Sequence, residues 1–153
     1  MNSSKIVCKL NPTFLVLFML KLSKKTEYAF MAVKYIALNQ NGNCITAKEI
    51  SDKYDISYEL LSKVLQRLNK HQIVSSVQGA KGGYTLRRSP FEITLIEIIS
   101  AIEEDYKITD CMNGSGTSND CRHVECCQIR DPLSKIQKEI EKIFRQTTVN
   151  QIL

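Results

Sequence analysis

Residues 46–86 restrict the fold more than any other part of the chain. Thr46-Ala47-Lys48-Glu49 reads as a capping box, hydroxyl and carboxylate answering each other's backbone N–H groups, and a short helix follows with Ala47, Ile50 and Tyr54 turned inward. Asp55-Ile56-Ser57 then makes a tight turn, with Ser57 as the N-cap of a helix running to about Lys70. Leu61, Val64, Leu65 and Leu68 fall at i, i+3, i+4 and i+7 and form its buried stripe. Its other side carries Tyr58, Glu59, Ser62, Lys63, Gln66, Arg67 and Lys70. Two helices across a short turn, the second with a polar and basic outer face, make a helix-turn-helix. The segments IVSSV (73–77) and YTL (84–86) read as strands joined by the hairpin Gly79-Ala80-Lys81-Gly82-Gly83. A basic, glycine-rich hairpin directly after a helix-turn-helix is a wing, able to touch phosphate or a minor groove while the helix takes the major groove.

Charge is distributed to match. Residues 1–90 carry fourteen Lys/Arg against five Asp/Glu, whereas residues 91–153 carry seven against eleven. A basic half joined to a mildly acidic half suits a polyanion-binding module with a separate sensing or pairing module. The 153 residues are enough for one domain with its own core and an appended element.

The N-terminal run Phe14-Leu15-Val16-Leu17-Phe18-Met19-Leu20 is too short to span a bilayer, which takes roughly 20 residues. It lacks a small-residue cleavage site and runs at once into Lys21, Lys24 and Lys25. The expected location is therefore the cytoplasm, with no membrane partner. Residues 1–18 stand apart as an extension, either a product of start-codon choice or a segment laying its apolar run on the domain or its partner.

Flanking elements complete a winged domain over 19–92. The segment EYAFMAVKYIAL (27–38) is apolar almost all round, as in a helix buried on more than one side. Thr94-Leu95-Ile96-Glu97 is a second capping box, Ile93 and Ile98 being placed as a hydrophobic staple, and its helix runs to about Glu104. This helix and a cysteine-rich loop fill 93–130. Asp131 then reads as an N-cap and Pro132 as the first residue of a final helix over 131–153. Leu133, Ile136, Ile140 and Ile143, with Phe144, make a narrow seam suited to pairing, so a homodimer is expected. The predicted fold class is mainly α with a small β-hairpin wing: a winged helix-turn-helix plus a long C-terminal dimerisation helix.

The loop holds Cys111, Cys121, Cys126 and Cys127 with Gly, Ser and Asn between them, and no pair has C-x-x-C spacing. Such thiols can hold a metal or cluster or act as a redox switch; structural disulfides do not suit a reducing cytoplasm.

The segments Leu22-Ser23-Lys24-Lys25-Thr26-Glu27-Tyr28-Ala29, Thr46-Ala47-Lys48-Glu49-Ile50 and Val77-Gln78-Gly79-Ala80-Lys81-Gly82-Gly83-Tyr84, together with the cysteine loop, resemble the Rrf-two family of bacterial winged-helix regulators, which includes the IscR, NsrR and RirA types. The resemblance covers about residues 19–150. It implies a homodimeric transcription factor whose grip on an operator in double-stranded DNA depends on an iron–sulfur cluster, [2Fe-2S] or [4Fe-4S]. The cluster cysteines carry over to Cys111, Cys121 and Cys127. Cys121 and Cys127 have the family's usual five-residue gap, whereas nine residues separate Cys111 from Cys121. The IscR-type histidine position holds Arg130, which stays protonated and cannot bind iron. The NsrR-type carboxylate position in the partner's first helix holds Glu27, making the chain nearer NsrR-like; His123 and Cys126 are the alternative fourth ligands.

For the duplex, Tyr58, Ser62, Lys63 and Gln66 are the expected base readers, with Ser57, Arg67 and Lys81 on backbone or minor groove and Gly82 and Gly83 shaping the wing tip. No Ser/His/Asp set, phosphate-cradling glycine motif or paired-carboxylate site is present, so neither an enzyme nor a small-molecule substrate is expected. Two alternatives remain: a winged-helix regulator using zinc or a thiol switch, and a small iron–sulfur electron carrier. The carrier would have no need of a basic wing.

Overall fold

The computed structural model describes residues 22–79, 81–103, 106–108 and 127–153. Helix α1 (Lys24–Asn39) starts where the Ser23 side chain accepts from the Thr26 backbone N–H at 3.3 Å. Ala29, Ala32, Val33 and Ile36 are fully buried, so α1 is the central post of the head. Small alanines let its neighbours approach closely, while Val33 and Ile36 fill the space between them.

Helices α2 (Ala47–Tyr54) and α3 (Tyr58–Lys70) form the helix-turn-helix. The expected capping box at Thr46 forms only in its forward half. Thr46 Oγ1 accepts from the Glu49 N–H at 3.1 Å, but Glu49 Oε1 accepts from the Tyr35 hydroxyl at 3.0 Å, tying α2 to α1. The turn depends on Asp55 in the left-handed region (φ 52°), a conformation that Asp tolerates better than most residues. The Ser51 hydroxyl braces the same turn by donating to the Ile56 carbonyl at 2.6 Å. Ser57 occupies the N-cap position of α3 but its hydroxyl makes no capping bond, so the expected side-chain cap is absent. Leu61, Val64, Leu65 and Leu68 are buried as a single stripe, as the periodicity requires.

Strands β1 (Val74–Val77) and β2 (Gly83–Leu86) pair antiparallel from Val74↔Leu86 to Val77↔Gly83. Ile45, in the α1–α2 loop, adds a bridge to Tyr84, with the Ile45 N–H donating to the Tyr84 carbonyl at 2.9 Å and the reverse bond at 2.8 Å. Helix α4 (Leu95–Ile102) has the expected Thr94–Glu97 capping box, and the staple residues Ile93 and Ile98 are both fully buried.

Helix α5 (Arg130–Gln146) begins one residue before the expected cap: Ile129 precedes it, and Asp131 and Pro132 lie within its first turn. Proline is tolerated there because first-turn N–H groups have no helical acceptor, and the Asp131 charge favours that end of the helix dipole. A closing 3₁₀ turn (Val149–Ile152) returns the chain to the head, where Val149 is fully buried and its N–H donates to the Ile93 carbonyl at 2.8 Å. Lys34 of α1 holds the same turn through the Ile152 carbonyl at 2.8 Å. Among the described residues no helix is long and apolar enough to cross a membrane.

Candidate nucleic-acid interface and thiol loop

Burial of its leucine stripe leaves α3 with one solvent face. Tyr58, at 58% exposure, Glu59, Lys63, Gln66, Arg67 and Lys70 stand on it, and Ser57 is exposed just ahead of it. Lys63 pairs with Glu59 one turn back at 2.9 Å, and that bond lowers the Glu59 pKa. Two of the sequence-predicted contacts differ from expectation. Ser62 is half-buried, and its Oγ is enclosed without a hydrogen-bond partner. It therefore points toward the packed side rather than toward a groove. Arg67 is turned sideways: its Nη1 donates to the Ile102 carbonyl at 2.6 Å. That carbonyl is one of the unfilled acceptors at the C-terminal end of α4, where a cation also complements the helix dipole.

The wing glycines have a structural reason independent of any ligand. A Cβ on Gly83 would lie 2.6 Å from the Ile45 carbonyl oxygen, and one on Gly82 would collide with the Val77 carbonyl. Gly79 carries φ 120°, which side chains disfavour, and its carbonyl accepts from the Gly82 N–H at 2.9 Å to close the turn. Lys81 stays exposed at the tip. Tyr84, one pair from the wing turn, has its pKa raised by burial first and by the nearby Tyr58 second.

A cleft of about 330 Å³ opens beside α3, rimmed by Lys25, Lys63, Arg67 and Lys70 over Val64 and Ile102. Lys25 comes from the first turn of α1, which sequence reasoning did not connect with the duplex-facing set. The only available signal was the basic run at residues 24–25, and that run reads equally well as a solvated helix start.

The start of the cysteine loop is fixed from three directions. Arg67 holds residue 102 from α3. Glu103 Oε1 accepts from the Ser23 N–H at 3.0 Å and from the Thr26 hydroxyl at 2.5 Å, holding α1. Burial alone would raise the Glu103 carboxyl pKa, but the Ser23 and Thr26 bonds and the Lys25 charge outweigh it, so the net shift is downward. From α5, Gln137 Oε1 accepts from the Ile108 N–H at 3.0 Å. Gln137 is only 5% exposed and was missed in the sequence, where it reads as one more polar residue between isoleucines.

Of the candidate ligands, Cys127 is described as a half-buried free thiol ahead of α5, and Glu27 is a half-buried residue whose carboxylate pairs with Lys24 at 2.5 Å. Cys111, Cys121, His123 and Cys126 lie outside the described residues. Among the described residues no three His, Cys, Asp or Glu side chains gather as a metal site.

On α5 the expected single seam divides in two. Leu133, Ile140 and Phe144 are half-buried alongside Gln137. Ile129, Ile136 and Ile143, at 65%, 50% and 59% exposure, form a second row spaced seven residues apart.

A helix-turn-helix with a glycine-pinned wing and a basic recognition helix defines the winged-helix class of DNA-binding proteins. Comparison with known proteins narrows this. Residues 22–153 match the Rrf2 family, described as iron-dependent transcriptional regulators, and the chain belongs to that family. It is 28% identical over 134 residues to the HTH-type transcriptional regulator NsrR of Bacillus licheniformis, covering 88% of this chain and 92% of that protein. Among solved structures, IscR of T. potens superposes with a TM-score of 0.64 at 25% identity, covering 87% of this chain and 85% of that one. CymR, the global cysteine regulator of B. subtilis, superposes with a TM-score of 0.67 at 22% identity, covering 88% and 96%. The protein is a transcriptional regulator, not an enzyme.

Proposed function

We propose that the chain acts in the cytoplasm as a homodimer that binds an operator in double-stranded DNA under the control of an iron–sulfur cluster. The observation that carries the DNA-binding part is the two-sidedness of α3: its apolar stripe is wholly consumed by the head, while Tyr58, Lys63 and Gln66 face outward beside the wing. In this reading Tyr58, Lys63 and Gln66 read base edges and Ser57 and Lys81 meet phosphate or minor groove. Gly82 and Gly83 give Lys81 its reach. The row Ile129, Ile136 and Ile143 pairs with its copy, setting two recognition helices about 34 Å apart for successive major grooves.

The residues fit the proposed cofactor in donor chemistry. Iron–sulfur clusters take thiolates, usually four ligands in all. Cys127 is an unpaired thiol, and with Cys111 and Cys121 it would supply three sulfurs. The partner subunit's Glu27 would supply the fourth ligand, its exchange with Lys24 being a contact that iron can displace; His123 and Cys126 are the alternatives. When bound, the cluster supplies iron reactive toward nitric oxide and oxidants and dependent on iron supply. The chain's own part is to hold the loop start on α1, α3 and α5 through Glu103, Arg67 and Gln137, so that disturbance of the loop reaches the reading head.

The test is anaerobic purification with absorption spectra and iron and sulfide analysis, then duplex selection from a random pool before and after nitric oxide. The expected result is a coloured dimer whose selected duplex is released by nitric oxide. A colourless, metal-poor protein that still selects one operator overturns the cluster reading. If its binding then changes reversibly with thiol oxidation, the thiol switch takes its place.

A further inference from the structure

The cleft between α1 and α3 has a composition that the reading head alone does not explain. Its rim brings together cations from two helices: Lys25 from the start of α1, and Lys63, Arg67 and Lys70 from α3, at steps of four and three along one helix face. Like charges gathered on one rim repel, and the arrangement is eased when an anion sits between them. Two of the four already have partners inside the protein: Arg67 donates to the Ile102 carbonyl and closes the floor, and Lys63 pairs with Glu59 at 2.9 Å. Lys25 and Lys70 are left as the rim cations for an added anion. Outside the cleft, the Glu103 carboxylate holds the start of α1 through Ser23 and Thr26 and so fixes the turn that carries Lys25.

We propose that this cleft is a seat for one backbone phosphate of the bound duplex. Lys25 and Lys70 are its phosphate contacts and Lys63 borders it, while Arg67 holds the floor and Glu103 positions the first turn of α1. Gln66 lines the same cleft, so a duplex read by that side chain would bring a sugar–phosphate strand close to it. At about 330 Å³ the space equals that of roughly ten waters, enough for a phosphate with part of its flanking sugar against Val64 and Ile102. The assignment rests on the DNA-binding reading and adds Lys25 to it while removing Arg67 from the groups that touch DNA.

The test uses the full-length protein and a random-sequence duplex, because phosphate contacts are sequence-independent. Affinity is measured across a series of KCl concentrations for wild type, Lys25→Gln, Lys70→Gln and Arg67→Gln. Each phosphate contact contributes about one to the slope of log affinity against log salt. Lys25→Gln and Lys70→Gln should each bind several-fold more weakly, with slopes shallower by about one. Arg67→Gln keeps an amide donor for the Ile102 carbonyl and should retain the wild-type slope. Wild-type slopes for both lysine variants overturn the seat, and a slope lowered by about one in Arg67→Gln overturns the positioning role. A second arm measures thermal unfolding in inorganic phosphate at constant ionic strength. A phosphate-dependent rise lost in Lys25→Gln, with its duplex slope unchanged, marks a free-anion site and overturns the duplex assignment. If wild type itself shows no salt-dependent duplex binding, the DNA-binding reading fails first.

Discussion

Helices α3 and α5 are both strongly amphipathic, yet the fold treats them differently. Helix α3 buries Leu61, Val64, Leu65 and Leu68 within its own chain, and what it shows to solvent is polar. Helix α5 buries one residue to the same degree, and that residue is Gln137, while Ile136 and Ile143, with Ile129 just ahead of the helix, remain exposed. An apolar row left outside a well-packed head marks an element whose burial is completed by a second surface. Helix α3 is thus finished by intrachain packing, whereas α5 keeps the exposed row that the proposed homodimer would cover.

The comparison can be broken at several points. The largest effect is expected from Leu65→Ala in α3, which opens a cavity at a fully buried site and should cost about 2–5 kcal/mol in urea unfolding. A loss under about 1 kcal/mol would mean that the stripe is not the core of the head. Gly83→Ala places a methyl against the Ile45 carbonyl and should cost about 1–3 kcal/mol, with the wing amides gaining hydrogen exchange. Ile136→Glu in α5 should leave the head folded by circular dichroism while weakening self-association about tenfold or more, or about 1.4 kcal/mol. Sedimentation at a series of concentrations checks this, and unchanged association would remove the exposed row from the pairing surface.

A smaller effect concerns Glu97. Burial pushes its pKa up, but the bonds from the Thr94 N–H, Arg88 and the Thr94 hydroxyl, with the Arg88 charge, bring it below the ordinary carboxylate value. A folded pKa below the unfolded one adds stability above the unfolded value, near 4.3, and that stability is lost as pH falls through the folded pKa. Glu97→Gln should therefore cost about 1 kcal/mol at pH 7, the usual scale for a lost cap, and progressively less as pH falls through the lowered Glu97 pKa. Smallest of all, Lys63→Ala breaks only the exposed pair with Glu59 and should change stability by less than about 0.5 kcal/mol.

Much of the head was legible because its signals are local. The Leu61–Leu68 periodicity, the Thr94–Glu97 box and the glycine hairpin each state their structure within a few residues. Misreadings arose where a side chain had two partners to choose from. Glu49 fits a capping box by sequence, but Tyr35, fourteen residues away, takes its carboxylate. Arg67, expected on the DNA backbone, also gives one N–H to the carbonyl end of α4, a partner that its spacing does not reveal. On α5, Ile136 and Ile140 look equivalent by spacing, and only docking on the head separates an inner from an outer row. The inward glutamine could not be read at all, since its purpose is to hold the Ile108 N–H, 29 positions earlier in the chain. The cysteine run supplies candidate thiols for the proposed cluster, but which of them would share a ligand is a long-range matter that spacing does not contain.

The bridge between Ile45 and Tyr84 has a mechanical consequence. Stitched to the loop behind it, the hairpin behaves as one jaw of a fixed caliper, and Lys81 stands at a set offset from the reading helix. In the proposed complex, a helix of nucleic acid entering this gauge would match its opening or bend to fit. Tracts that differ in stiffness and groove width can then be sorted at base pairs no side chain touches.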